Sequence, residues 1–211
     1  MEKLYKRFLA FIIVPVIIAA FPFLVFANTG AAAPYDWYFK PEKDNSQPQC
    51  IPEADFIDEY NTVYLGSADT PTLYLTFDAG FDNGYHEKIL DTLKEKNVKA
   101  AFFVDGNFVK KNPELVKRMD AEGHLVCNHS LNHPDMTKYT SFSEYEKQIK
   151  GWEELITQLG LTPRKYFRFP SGRFSEQALE YNEQLGLTTV FWSFAYYDWE
   201  VNNQPSHEAA K

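Results

Sequence analysis

Cysteine is almost absent from the 211 residues: only Cys50 and Cys127 occur, too few for a disulfide framework. Cys50 stands in a Pro-rich stretch and Cys127 at the end of an apolar run, so both are expected to be free thiols. A basic run is missing as well. With 21 Lys and Arg against 29 Asp and Glu, the formal net charge is −8, and no cationic face is available to neutralise phosphates, so nucleic acid is excluded as a partner. No internal repeat is visible.

Long apolar runs are also missing, with one exception at the start. Lys3, Lys6 and Arg7 precede Phe8 to Ala27, a stretch broken only by Pro15 and Pro22. Val25-Phe26-Ala27 offers a signal peptidase a small residue, and Ala31 to Ala33 offers a second place to cut. About 20 apolar residues also just suffice to cross a bilayer. Residues 1–27 therefore read as a signal peptide or a membrane anchor, and both readings leave the remainder secreted or held at the cell wall. Membrane contact is expected only through this segment, and a monomer is expected outside it.

What is abundant is apolar and aromatic: 45% hydrophobic residues, including 18 Phe, 13 Tyr and 4 Trp. That is ample for one buried core. Ring faces also stack on the C–H faces of pyranoses, although for any single ring burial is the ordinary role.

Residues 28–69 show no sustained period and read as an extended N-terminal arm, with Phe56 to Leu65 as a short packed segment. From Thr72 strands and helices alternate. Leu73–Phe77, Ala100–Val104, His124–Cys127, Tyr166–Phe169 and Thr189–Ser193 read as strands. Helices are expected over Tyr85–Lys96, after an Asn112 N-cap with Pro113 at its first position and Gly123 beyond its end, and after a Ser141-x-x-Glu144 capping box. In that last helix Phe142, Tyr145, Ile149, Trp152 and Leu159 recur at helical spacing. A further helix runs from Ser175 to Leu185 before Gly186. Repeated β-α units predict an α/β fold built on a parallel sheet or barrel, with active residues at the C-terminal strand ends.

Three clusters fall at such ends. In Thr76-Phe77-Asp78-Ala79-Gly80 a carboxylate follows an apolar strand, although Asp before a turn is commonly just a cap. In Asn128-His129-Ser130-Leu131-Asn132-His133-Pro134 two histidines four apart can turn both rings to one metal ion; the bland alternative is a pair of unliganded loop histidines. In Arg168-Phe169-Pro170-Ser171-Gly172 an arginine can hold a carboxylate through two hydrogen bonds, or can form an ordinary ion pair beside a Pro-Gly turn.

In this order on a β-α frame, the clusters resemble the polysaccharide deacetylase family (NodB-homology, carbohydrate esterase family 4), whose motifs read T-F-D-D-G, H-S/T-x-x-H and R-x-P-x-G. The resemblance covers about Leu73 to Asn203. Asn83-Gly84, Phe108 to Pro113, Val190-Phe191-Trp192-Ser193 ahead of Asp198-Trp199, and the aromatic arm around Trp37 are similar to one subgroup. Its members are the peptidoglycan N-acetylmuramic acid deacetylases that form δ-lactam in spore cortex.

The resemblance implies a distorted (β/α) barrel and hydrolytic removal of N-acetyl groups from a cell-wall polysaccharide. It implies that His129 and His133 hold a divalent metal, zinc in the usual case, and that Asp78 is the general base, oriented by Arg168. It gives the substrate side to Pro170, Ser171, Gly172, Asp198 and Trp199, with a backbone N–H near Ser171 facing the oxyanion. The chain departs from the pattern in two places. Position 79 is Ala where most of the family has the Asp that supplies a third metal ligand, with Asp82 as a nearby substitute. The family's last motif, a strand ending Leu-x-His that carries the general acid, is not found; His207 stands in a polar tail. The domain, residues 70–211, is therefore expected to be truncated and its barrel incomplete at the C-terminus. A non-catalytic cell-wall binder and a deacetylase of chitooligosaccharide or xylan remain open alternatives at this point.

Overall fold

The structure is a computed structural model and describes residues 33–44, 46–195, 198, 200, 202–206 and 208. The apolar segment 1–27, Trp199 and His207 lie outside the described residues.

Six parallel strands form the frame. They are β4 (Thr62–Val63), β5 (Thr76–Ala79), β6 (Ala101–Val104), β7 (Leu125–Asn128), β8 (Tyr166–Phe167) and β10 (Thr188–Val190), arranged β4-β10-β8-β7-β6-β5. Every pairing in this sheet is parallel. Five helices connect them: α1 (His86–Glu95), α2 (Gly106–Lys111), α3 (Pro113–Ala121), α4 (Phe142–Gln158) and α5 (Glu176–Gln184). The remaining short strands belong to the arm and one site loop: β1 (Tyr35–Asp36), β2 (Phe39–Lys40), β3 (Gln49–Cys50) and β9 (Arg173–Phe174).

Burial explains why these elements stay where they are. In α4 the buried positions are Tyr145, Ile149, Trp152 and Ile156, a spacing of four, three and four that keeps one stripe inward. The stripe joins two cores. Tyr145 and Ile149 pack with Trp37, Phe167, Phe169, Phe174 and Phe191. Trp152 and Ile156 pack with Leu90, Phe102, Phe108, Val116 and Met119. Each such side chain contributes about 1.5–3 kcal/mol on burial.

Several local expectations are revised. The strand around Leu73 begins only at Thr76; Leu75 O accepts from Ala101 N at 3.0 Å, while Leu73 and Tyr74 stand exposed. The helix α2 escaped the sequence reading because it is short and begins Gly-Asn. It forms because Asp105 caps it, accepting from Phe108 N at 2.7 Å. Asn112 makes no side-chain cap for α3; its Nδ2 donates instead to Phe108 O, closing the end of α2. Ser141 makes no side-chain cap for α4, and only its carbonyl accepts, from Glu144 N and Tyr145 N. The segment before residue 70 also adds to the sheet, since β4 pairs with β10.

Both cysteines are free. Burial pushes the Cys127 thiol up to about 12, which leaves it unreactive as a nucleophile.

Candidate active site

The site is built where β5, β7 and β8 end. Asp78 lies on β5, opposite Phe103 of β6. His129 follows β7 directly, and its backbone N–H donates to Val104 O. Arg168 follows β8, with its N–H donating to Asn128 O. The parallel ladder thus sets three chemistry-bearing residues side by side at one end of the sheet.

Arg168 is the organiser. It is 3% exposed, and its guanidinium donates to four acceptors. Nη1 gives to Asp78 Oδ1 at 2.7 Å and Thr76 Oγ1 at 3.0 Å. Nε gives to Val190 O at 3.0 Å and Nη2 to Phe191 O at 3.1 Å. The Phe103 ring packs against it with 4.2 Å from centroid to Cζ, and the Trp192 ring lies at 5.6 Å. A planar fork fits this set of acceptors; an ammonium does not.

His129 is fixed from behind. Its Nδ1 lies 2.9 Å from Arg168 O, so Nδ1 carries the proton and donates. Nε2 then holds the lone pair and faces Asp78 Oδ2 at 3.9 Å. Burial above all holds the imidazole below its ordinary pKa, opposed by Asp78 and by the hydrogen bond to Arg168 O, and helped by His133 and more weakly by the Arg168 charge. A neutral ring with one orientated lone pair is what a metal ligand requires. The His133 ring centroid stands 4.9 Å from that of His129, and the His133 N–H donates to Ser130 Oγ.

Backbone conformation in these loops is unusual. Ser130, His133 and Ser171 are non-glycine residues at φ 70, 54 and 57, a region that costs free energy and persists only where surroundings enforce it. At Gly172, φ +67, an added Cβ would sit 2.5 Å from Trp192 Cη2 and 3.2 Å from Trp37 Cβ. Only glycine fits there.

Beside His133 opens a cleft of about 220 Å³ lined by Asp36, Pro134, Asp135, Pro170, Ser171 and Arg173. Asp36 reaches it because β1 pairs antiparallel with β9, placing Asp36 opposite Arg173.

Residues 66–190 match the model of the family described as polysaccharide deacetylase. The chain belongs to the polysaccharide deacetylase family. It is 42% identical over 178 residues to the peptidoglycan-N-acetylmuramic acid deacetylase PdaA of Bacillus subtilis, covering 84% of this chain and 68% of that one. The solved structure of PdaA, a family 4 carbohydrate esterase, superposes with a TM-score of 0.77 over 81% of this chain and 74% of that one, at 41% identity. A family 4 carbohydrate esterase from Bacillus anthracis follows at TM-score 0.70 and 38% identity, over 79% of this chain and 76% of that one. A pseudoenzyme of the same family from Bacillus anthracis is similar at TM-score 0.61 and 30% identity, covering 66% of this chain and 49% of that one. The six parallel strands with their connecting helices agree with the distorted (β/α) barrel of this family.

Deacetylases of this family are metalloenzymes. Among the described residues no group of three or more His, Cys, Asp or Glu side chains is placed to hold a metal ion. The buried Ala79 offers no donor, and Asp82 is not grouped with the two histidines; its Oδ1 accepts instead from His86 Nδ1 at 2.8 Å and from the Gly84 N–H at 2.9 Å. The two imidazoles, with ring centroids 4.9 Å apart, are the nitrogen donors brought together at these strand ends. Gly172 O is held by the Trp37 N–H, and the Gly172 N–H is given to Phe169 O. Asp198 lies in a turn whose carbonyl accepts from Gln204.

Sequence reasoning missed Thr76, Phe103, Asp36 and Arg173 as neighbours of the site. Thr76 stands in the first motif and could have been found as a second acceptor for Arg168. Asp36 could not, because its place depends on β1 crossing to β9.

Proposed function

We propose that this protein is a metal-assisted de-N-acetylase acting outside the cytoplasm on the N-acetylmuramic acid of peptidoglycan, in the modification of spore cortex. The observation that carries the reading is the pairing of Asp78 with Arg168 beside two imidazoles, in a chain 42% identical to PdaA. An N-terminal signal or anchor over residues 1–27 agrees with a cell-wall substrate.

His129 and His133 are the residues we assign to the metal, and zinc is the ion that imidazole donors suit. When bound, such an ion supplies Lewis-acid polarisation of the acetyl carbonyl and a more acidic water. The chain's own residues do the rest. Asp78, with Oδ1 held by Arg168, keeps Oδ2 to accept the proton of the attacking water as its oxygen bonds the acetyl carbon, and the same carboxyl returns that proton to the amine as the C–N bond breaks. Arg168 fixes the carboxylate and lends its carbonyl to His129 Nδ1, so one residue orients both base and ligand. The backbone N–H of Ser171 is assigned to the developing oxyanion, since that of Gly172 is already used. Pro170 and Ser171, which line the cleft beside His133, are assigned with Gly172 to the sugar, and Asp198 and Trp199 are assigned to the substrate side by the family pattern.

Ala79 favours one second reading, a cell-wall binder without turnover. The deciding experiment is acetate release by the full chain supplied with zinc, from peptidoglycan whose muramic acid has lost its stem peptide. Release is expected, with a loss of at least about 10²-fold in Asp78→Asn. Retained binding without release would establish the binder instead. Release from chitooligosaccharide alone would move the substrate to another sugar.

A further inference from the structure

The guanidinium of Arg168 makes an unusual demand on the chain beyond β10. Val190 O and Phe191 O, two successive carbonyls, both accept from it. In a regular strand successive carbonyls point to opposite sides, so the backbone must turn out of the ladder here. The strand indeed ends at Val190, and the Phe191 N–H, donating to Val63 O, is the last sheet contact. Something else must hold the turned segment.

Trp37 does so from three directions. Its indole Nε1 donates to Trp192 O at 2.8 Å. Its ring stacks on Phe191 at 4.2 Å between centroids and 14° between planes. Its backbone N–H donates to Gly172 O at 2.8 Å, tying the same residue to the Pro170–Gly172 turn. Trp37 is 5% exposed, and the close approach at Gly172 that excludes a Cβ is to Trp37 and Trp192 together.

We infer that Trp37 is a positioning residue for Arg168: by clamping Phe191 and Trp192 it aims the two carbonyls that set the guanidinium, and through it the carboxylate of Asp78. The N-terminal arm is then a working part of the active site and not a tether. Its effect on turnover rests on the deacetylase reading, whereas its effect on Arg168 does not.

The test uses Trp37→Phe, which keeps an aromatic ring for the stack on Phe191 and removes the indole donor. The control is Tyr145→Phe, which removes one buried hydrogen bond, to Asn182 Oδ1 at 2.7 Å, in the same core cluster but to a residue of α5 and not to the turned segment. The readout is the ¹⁵N-resolved signal of the Arg168 side-chain Nε–H and its exchange with solvent in the full chain. Trp37→Phe is expected to shift that signal and speed its exchange at least about tenfold, since exchange follows local opening; Tyr145→Phe leaves both unchanged. Where acetate release is measurable, kcat falls about tenfold in Trp37→Phe with KM within about twofold, because slight misplacement of a reacting group is costly. Unchanged exchange in Trp37→Phe, or the same change in both variants, overturns the inference. Absence of acetate release from the parent chain would instead count against the function, and leaves the exchange result standing on its own.

Discussion

Arg168 Nη1 stands 2.7 Å from Asp78 Oδ1, although their strands β8 and β5 are separated in the sheet by β7 and β6. A side chain bridges that separation only where the sheet curls strongly, bringing the far strands round towards each other. The same guanidinium reaches β10 on its other side. One buried cation therefore ties three strand ends together and holds the carboxylate proposed as the general base.

Replacing Arg168 by Lys is expected to destabilise the fold and to abolish measurable deacetylation. A lysine keeps the charge but not the fork, and its three donors from a single nitrogen leave at least one of the four acceptors without a partner. Asp78 is partly exposed and the Val190 carbonyl is part-buried, so water softens their loss; the buried carbonyl of Phe191 has no such relief. A loss of about 3 kcal/mol, or roughly 6–12 °C in Tm for a chain of this size, should appear by calorimetry. A variant with unchanged Tm would show that water fills the donor's place.

Two glycines at similar φ separate strain from crowding. Gly160 has φ +80 with nothing within 4 Å of an added Cβ, whereas Gly172 has φ +67 with Trp192 at 2.5 Å. Gly160→Ala should lose only the backbone term, about 1 kcal/mol. Gly172→Ala should lose about 3 kcal/mol or more together with activity, because the turn bearing Ser171 is displaced. Equal losses in chemical denaturation would mean that Trp192 simply moves aside.

The sequence made legible those parts that depend on local chemistry. Strand ends at Asp78, His129 and Arg168 were readable because each follows an apolar run and the β-α alternation fixes which end faces the site. Pro170 to Gly172 was readable as a turn. The capping signals at Asn112 and Ser141 marked the right boundaries for the wrong reason, since neither side chain caps. What could not be read was long-range: the crossing of β1 to β9, the entry of β4 into the sheet, and the clamp of Trp37 on Trp192, a contact across 155 positions. Such contacts have no period and no spacing to betray them.

His124 should give the fold a pH dependence. It is 2% exposed, and its Nδ1 accepts from the Ala100 N–H at 3.2 Å, so the ring is held neutral with its proton on Nε2. Burial first, and Lys99 next, hold it below its ordinary pKa. The folded protein thus takes up a proton later than the unfolded chain as pH falls. Stability is flat above the unfolded value of about 6.5, falls with decreasing pH below it, and levels off beneath the folded value. His129 acts in the same direction. His124→Asn, which keeps an acceptor near Ala100, should reduce the slope of Tm against pH between about 7 and 5 without removing it. An unaltered slope would assign the whole dependence to other groups.

The metal assignment yields the last prediction. His129 has one lone pair orientated by Arg168 O, and the neighbouring His133 ring is the donor proposed beside it. Ala79 supplies none, so binding should be weaker than in a relative with three protein ligands. Zinc titration by calorimetry should show one site per chain. His133→Ala should weaken that site by at least about 10²-fold, no less than the loss of a group that merely supports a ligand. Ala79→Asp should tighten it if the carboxylate can reach the ion, and its burial should show as a lower Tm without zinc that recovers with zinc. Equal zinc uptake by the parent and by His133→Ala would remove His133 from the site. Unchanged affinity in a folded Ala79→Asp would mean that position 79 does not face the ion in this chain, and the weakness of the site would then have to lie elsewhere.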